Sequence, residues 1–174
     1  VTIRAFDLNG NTNTCTASFI VGDTMAPTIT TCATNITGSA NASCQAAVPS
    51  FTNTVAATDN CSATTVTQSP TIGTLVGLGT NTVTLRVADL NGNTNTCTAS
   101  FIVRDTTSPT ITCPAPVTVN ANPGQCSTTN VSLGTPTTGD NCGVASVVNN
   151  GSGTYPVGTN AVVWTVTDIQ GNQR

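Results

Sequence analysis

The chain has 174 residues, a formal net charge of −3 and only 6% charged residues. Its only cations are four arginines, too few for the basic patch of a nucleic-acid-binding protein, and no run of 18 apolar residues could span a membrane. Without His, Lys or Glu it has few groups that titrate near neutral pH, so we expect no enzyme and no catalytic residue.

The first segment, residues 1–23, reads VTIRAFDLNGNTNTCTASFIVGD and predicts two β-strands joined by an Asn-Gly turn. Thr and Val, which favour strands, are frequent, whereas the residues that favour helices are scarce. The part from Asp7 to Val21 recurs letter for letter from Asp89 to Val103. The chain therefore contains a repeat, and residues 1–23 are expected to be the last two strands of one copy.

The second segment, residues 24–105, is expected to be one complete copy. Val83, Leu85 and Val87 alternate with polar residues, which predicts a strand with one apolar face. Cys97 follows the next Asn-Gly turn on the face that carries the apolar side chains, so its sulfur is expected in the core. Several short strands separated by Gly, Asn and Pro, with no helical stripe, predict a β-sandwich.

The third segment, residues 106–174, repeats the same marks and is expected to lack the final strand. SPTITC corresponds to APTITTC, GDNC to TDNC, and PVGTNAVVWTVTDIQGN to GLGTNTVTLRVADLNGN. Cys97 follows Cys15 by 82 residues, and Cys113 follows Cys32 by 81. Such a period is too long for a solenoid repeat and suits a self-contained domain in tandem.

The cysteines fall into four classes, each of which recurs once per period. They are Cys15 and Cys97, Cys32 and Cys113, Cys44 and Cys126, and Cys61 and Cys142. The sequence has no His and no Cys-x-x-Cys motif, so a zinc site is not indicated. Regular cysteines in a small β-rich chain indicate disulfides and an extracellular location, either secreted or at the cell surface.

Together these marks resemble the hyalin repeat (HYR) family. The resemblance rests on PTITC, a Cys some 12 residues later, DNC, the GTN to TVTD-x-GN run and TCTxSF-V-D, and it covers the whole chain. It implies tandem immunoglobulin-like β-sandwich modules, outside the cell, with no catalytic activity and a general association with adhesion. The expected fold class is therefore all-β, with disulfide-stapled modules in tandem.

Four cysteines per module allow three connectivities, and the residues alone do not choose among them. The resemblance, with strand geometry, favours the pairs Cys32–Cys44, Cys61–Cys97 and Cys113–Cys126.

Cys15 and Cys142 then have no partner of their own. Cys15 corresponds to Cys97 and Cys142 to Cys61, so the two could bond in the way favoured for Cys61 and Cys97. Two interpretations stay open. Either the polypeptide continues in both directions, or separate subunits pair head to tail by strand addition with a Cys15–Cys142 bond.

All acidic residues are Asp, and they occupy three positions in the repeat. In an immunoglobulin-like topology the turn, the DNC loop and the incoming linker meet at one end of a module. Two groups are therefore expected to converge at the joints: Asp23, Asp59 and Asp89, and Asp105, Asp140 and Asp168. Either they hold Ca²⁺, which prefers oxygen ligands, or each Asp only shapes its turn through Asx hydrogen bonds.

These features predict a structural array that acts as a stiff spacer or connector in an extracellular fibre or filament. No cofactor is required, and Ca²⁺ at the joints is the single candidate. The expected partners are copies of the chain or flanking modules placed head to tail, and glycans or surface proteins are further candidates. Two alternatives remain: an adhesin stalk whose loops bind a glycan or protein, and a non-catalytic spacer attached to a secreted enzyme.

Overall fold

The computed structural model describes residues 1–174 and confirms the predicted all-β fold, with one 3-10 turn at Thr52–Thr54 as its only helical element. No helix is long and apolar enough to cross a lipid bilayer. The strands, in chain order, are β1 Thr2–Phe6, β2 Thr12–Thr16, β3 Thr28–Thr31, β4 Ile36–Ser39, β5 Gln45–Ala47, β6 Ala56–Thr58, β7 Thr65–Ser69, β8 Leu75–Gly77, β9 Gly79–Ala88, β10 Thr94–Arg104, β11 Thr110–Thr112, β12 Ser127–Thr129, β13 Thr137–Gly139, β14 Val144–Asn149, β15 Thr154–Pro156 and β16 Trp164–Asp168.

The N-terminal hairpin consists of β1 and β2, which pair antiparallel with Thr2 opposite Thr16 and Phe6 opposite Thr12. Asp7 closes its turn by accepting hydrogen bonds at Oδ1 from the backbone N–H of Asn9 (2.9 Å) and of Asn11 (2.7 Å). Every residue of both strands is exposed. The hairpin therefore forms by local turn chemistry, without a core of its own.

The first module is a sandwich with a four-stranded sheet in the order β4-β10-β9-β7. β4 runs parallel to β10, and the other neighbours are antiparallel. The opposite layer contains the pairs β3-β6 and β5-β8. The predicted alternation on β9 is confirmed, because Val83, Leu85 and Val87 are completely buried. The core cluster between the layers consists of Ala33, Ala46, Val48, Phe51, Val83, Leu85, Ala99, Phe101 and Val103.

The second module repeats three of these strand pairs: β11-β13 corresponds to β3-β6, β12-β15 to β5-β8, and β14-β16 to β7-β9. No strand forms between Thr112 and Ser127, where β4 would have its counterpart. In the first module β4 is hydrogen-bonded to β10 alone. Within residues 106–174 no strand pairs with residues 117–120, so the backbone there forms no ladder.

Candidate metal centre

The Asn-Gly turn after β9 fixes the first acidic position of the repeat. Asp89 Oδ1 accepts hydrogen bonds from the backbone N–H of Asn91 and of Asn93, and Oδ2 accepts one from Asn93 Nδ2 at 2.8 Å. Gly92 completes the turn with φ +92°, a left-handed conformation that favours glycine. Burial raises the pKa of Asp89, but the hydrogen bonds from Asn93 and the turn backbone together lower it by more. The pKa of Asp89 is therefore below its ordinary value.

Asp168 occupies the same place after β16. Its Oδ1 accepts from the backbone N–H of Gln170 and of Asn172, and its Oδ2 accepts from Asn172 Nδ2. Its pKa is also lowered, because the hydrogen bonds outweigh burial. Both turns hold a charged carboxylate, and Asp168 is almost completely buried.

The DNC loops supply the second acidic position. Asp59 Oδ2 accepts hydrogen bonds from the backbone N–H of Cys61 (3.0 Å) and Ser62 (3.1 Å). Asp140 Oδ2 likewise accepts from the backbone N–H of Cys142 and of the residue after it. In both aspartates the other oxygen, Oδ1, is buried and has no hydrogen-bond partner.

The linkers supply the third position, Asp23 and Asp105. Asp23 Oδ1 accepts from the backbone N–H of Met25, and Asp105 Oδ1 accepts from that of Thr107, both at 3.0 Å. In each aspartate Oδ2 is buried without a partner. Asp105 as a whole is only 5% exposed, so its free oxygen is held away from bulk solvent.

The structure brings the three positions together twice. Carboxylate oxygens of Asp23, Asp59 and Asp89 lie within 4.8 Å of one another, and so do those of Asp105, Asp140 and Asp168. We name these groups the entry cluster and the joint cluster, respectively. Burial and the negative charge of the entry cluster raise the pKa of the neighbouring Cys61 thiol.

Both clusters combine turn-shaping hydrogen bonds with free oxygens. At least one carboxylate oxygen of each Asp accepts hydrogen bonds within its own turn, as the Asx alternative requires, and Asp89 and Asp168 use both. Four of the six side chains retain a second oxygen that is buried and unpartnered. Like charges at this separation repel one another, and an unsatisfied buried oxygen is costly. A hard cation with oxygen ligands would relieve both costs, so the donor set fits Ca²⁺.

Sequence reasoning missed an asparagine in the joint cluster. Asn141 donates from Nδ2 to Asp105 Oδ1 at 3.2 Å and to the backbone carbonyl of Asn41, in the first module, at 3.1 Å. Its Oδ1 is buried without a partner and is another candidate oxygen ligand. The signal was present in the sequence, because the Asn recurs in both DNC motifs.

The disulfides differ from the favoured pairing. Cys32 bonds Cys97 with a Cα–Cα distance of 6.2 Å, so the pairs Cys32–Cys44 and Cys61–Cys97 are wrong. Cys32 follows β3 and packs with Cys97 against the core cluster, whereas Cys44 lies in the turn before β5. The expectation that Cys97 points toward the core is confirmed.

The second disulfide joins the two modules. Cys44 bonds Cys142 with a Cα–Cα distance of 4.9 Å, because the turn that carries Cys44 faces the DNC loop of the next module. Cys142 is therefore not available for the expected bond to Cys15, and Cys126 is not bonded to Cys113. The free cysteines are Cys15, Cys61, Cys113 and Cys126, and all four are exposed.

Comparison with known proteins agrees with the tandem arrangement. No curated protein matches the chain at a significant level. The profile of the HYR domain matches residues 22–103 and again residues 104–174, which together cover most of the sequence. The resemblance noted in the sequence is confirmed: the chain belongs to the HYR domain family and contains two tandem copies of the domain.

Proposed function

We propose that the chain is a stiff connector in an extracellular fibre, secreted or attached to a cell surface. HYR domains are extracellular, non-catalytic modules, and disulfides fit such a location. A structural role, rather than turnover of a substrate, agrees with a chain whose acidic clusters and inter-module disulfide lie where segments meet. The single observation that carries the proposal is the covalent bond between the modules, Cys44–Cys142.

Several contacts at the joint restrict motion in addition to that bond. Asn141 connects the DNC loop to the first module through the carbonyl of Asn41 and to the linker through Asp105. Asn172 donates from Nδ2 to the backbone carbonyl of Asp105 at 3.2 Å, which attaches the linker to the last turn of the second module. A short linker with bonds on both sides leaves little freedom for bending between the modules.

The joint cluster adds a second element to the proposal. Ca²⁺ bound by Asp105, Asp140 and Asp168 would connect the linker, the DNC loop and the turn through one ion. The buried, unpartnered Oδ2 of Asp105 supports this assignment, since hydrogen bonding within the protein leaves it unsatisfied.

Joint stiffness can be measured by small-angle X-ray scattering and by the distance distribution between spin labels placed in the two modules. Replacing both members of the inter-module bond, Cys44→Ser with Cys142→Ser, should broaden the distance distribution. The matched control is Cys126→Ser, which changes the equivalent but unbonded cysteine of the second module. A broad distribution in the wild type would refute the stiff connector. An equally narrow distribution in the double variant would show that the bond Cys44–Cys142 is not what stiffens the joint.

Ca²⁺ binding can be measured by isothermal titration calorimetry on the whole chain. We expect two sites per chain, one at each cluster, and the loss of one of them in Asp105→Asn. The matched control is Asp7→Asn, since Asp7 lies in the same sequence motif as Asp89 but belongs to neither cluster. Absence of binding at millimolar Ca²⁺ would reject the ion and leave the disulfide and the hydrogen bonds of Asn141 and Asn172 as the stiffening elements.

A further inference from the structure

The second module contains an open groove of about 710 Å³. Cys113 lies in the groove, together with apolar side chains that include Val117, Val119, Leu133 and Trp164. Val117 is 50% exposed and Val119 is 49% exposed, although both belong to a strand-favouring run. The groove lies where the first module has β10.

In the first module β10 fills the corresponding space. Phe101 and Val103 on β10 are 3% and 2% exposed. β10 pairs with β9 on one side and β4 on the other, so Phe101 lies opposite Asn81 and beside Ile36. Cys97 of the same strand bonds Cys32, the counterpart of Cys113.

The sequence of β10 also occurs in the N-terminal segment, where it is uncovered. Residues 94–103 and 12–21 are identical. Phe19, the counterpart of Phe101, is 75% exposed, and Val21, the counterpart of Val103, is 84% exposed. One copy of this strand is therefore in the core, while the other presents the same apolar side chains to solvent.

We propose that Thr14–Val21 of a second copy of this chain inserts into the groove, in the place that β10 occupies in the first module. It would run antiparallel to β16, with Cys15 opposite Trp164, and parallel to residues 117–120. The insertion starts at Thr14 because Gln173 and Arg174 already pair with Thr167 and Val166 of β16. They occupy the places that the first two residues of β10 have in the first module. Backbone pairing supplies affinity in such strand addition, and the alternate side chains supply specificity.

The free cysteines support the same register. Each free cysteine is the repeat counterpart of a bonded cysteine. Cys15 and Cys113 correspond to the bonded pair Cys97 and Cys32. Cys61 and Cys126 correspond to the bonded pair Cys142 and Cys44. One insertion therefore brings together two pairs, Cys15–Cys113 and Cys61–Cys126, and all four free thiols are used. The pair Cys61–Cys126 would join two copies in the same way that Cys44–Cys142 joins the two modules of one chain.

Bond formation needs an oxidant. For each pair, two thiols and one molecule of oxidised glutathione give one protein disulfide and two molecules of reduced glutathione, by thiol–disulfide exchange. No other redox group takes part.

The insertion requires two local rearrangements. Residues 14–16 must leave β1, where Cys15 now lies opposite Ile3, and isolated two-stranded hairpins are only marginally stable in water. Val119 stands where the first module has Gly38, and a Cβ added at Gly38 would lie 2.8 Å from Phe101 Cζ. The ring of Phe19 therefore has to turn aside from Val119.

The contact is heterologous, since a strand of one copy fills a groove at the other end of the next. Such a contact propagates into a linear fibre when it does not close into a ring. This inference goes beyond the proposed connector function and concerns a different joint. The stiffness that the bond Cys44–Cys142 gives to one chain can be confirmed or refuted independently of assembly between chains.

The test uses two half-blocked chains. The donor chain carries Cys113→Ser with Cys126→Ser, and the acceptor chain carries Cys15→Ser with Cys61→Ser. Each is incubated with oxidised glutathione, alone and mixed, and analysed by non-reducing mass spectrometry and peptide mapping. Each alone should stay a monomer of 17.4 kDa, while the mixture gives a dimer of about twice that mass, linked by Cys15–Cys113 and Cys61–Cys126. The unmodified chain should give a ladder of higher multiples.

A variant on the donor strand separates specific insertion from random oxidation. Phe19→Asp in the donor should suppress the dimer, whereas Leu8→Asp, at a fully exposed turn position outside the inserted segment, should not. Dimers that form equally in Phe19→Asp, links through other cysteine pairs, or a mixture that stays monomeric would each overturn the proposal. A reduced native polypeptide far larger than 17.4 kDa would also overturn it, because a strand of the same chain would then fill the groove.

Discussion

Replacing Phe101 with Ala tests whether tertiary burial, rather than local sequence, stabilises the first module. Phe101 is 3% exposed and belongs to the core cluster. Truncation of a buried Phe costs about 3–5 kcal/mol through lost transfer energy and the cavity left behind. A module of this size has a total stability on the order of 4–12 kcal/mol, so the variant should lose a large share of it. The matched control is Phe19→Ala, in an identical stretch of sequence, where the side chain is 75% exposed and the loss should stay within about 0.5 kcal/mol.

The assay is guanidinium unfolding of dilute, monomeric protein with its disulfides intact, followed by far-ultraviolet circular dichroism. The stability difference comes from the shift of the midpoint at constant m-value. The 15-residue stretches around the two phenylalanines are the same, so strand propensity and turn chemistry cancel in the comparison. Equal losses at the two positions would refute the assignment of β10 to the core.

Three other predictions concern the bonds and turns that support the modules. Replacing both Cys32 and Cys97 with Ala should lower the free energy of unfolding by about 4 kcal/mol, because the bond closes a loop with a sequence separation of 65; an unchanged thermal midpoint would contradict the observed pairing. The pKa of Asp7 is lowered by hydrogen bonds from Asn11 and the turn backbone, so its contribution to the stability of the N-terminal hairpin is complete above the ordinary pKa of 3.8 and is lost as the pH falls below it. The amide chemical shifts of the turn, followed from about pH 5 to pH 2, should show one transition below that ordinary pKa. A transition centred above it would disprove the assignment. Gly38→Ala should destabilise the first module by about 1–3 kcal/mol, since the added methyl would lie 2.8 Å from a core ring, whereas Gly77→Ala, where nothing lies within 4 Å, should have little effect on the same unfolding curve.

Strands and turns were predictable because their signals are local. The alternation of Val83, Leu85 and Val87 predicts a strand with one apolar face, and the structure forms that strand and buries all three side chains completely. The Asn-Gly turns likewise form hairpins both in the first module and in the uncovered N-terminal segment. The alternation and the turn can both be read from neighbouring residues, whereas burial of the apolar face requires the rest of the module.

The disulfide pairing could not be predicted because it depends on which ends of strands meet. The sequence sorts the cysteines into four classes, but Cys44 lies near Cys142 only because the exit of one module faces the entrance of the next. Cys32 bonds Cys97 across a sequence separation of 65, although Cys44 is nearer in the chain. Spacing along the chain therefore does not indicate which sulfurs meet.

The acidic clusters were partly predictable. Recurrence at three positions indicated that the aspartates meet at the joints, and the structure brings both groups within 4.8 Å. The role of Asn141 was missed, because one of its contacts is made with the neighbouring module, at the carbonyl of Asn41.

By itself, the amino-acid sequence determined the repeat, the all-β class, the turn chemistry and the four classes of cysteine, since each arises from interactions between residues close together in the chain. Only the tertiary structure decided which sulfurs bond, which oxygens remain unpartnered, and whether the two identical stretches around Phe19 and Phe101 are exposed or buried. The physical reason is that burial and bonding need a partner surface. Identical residues have that surface in the first module and lack it at the N-terminus.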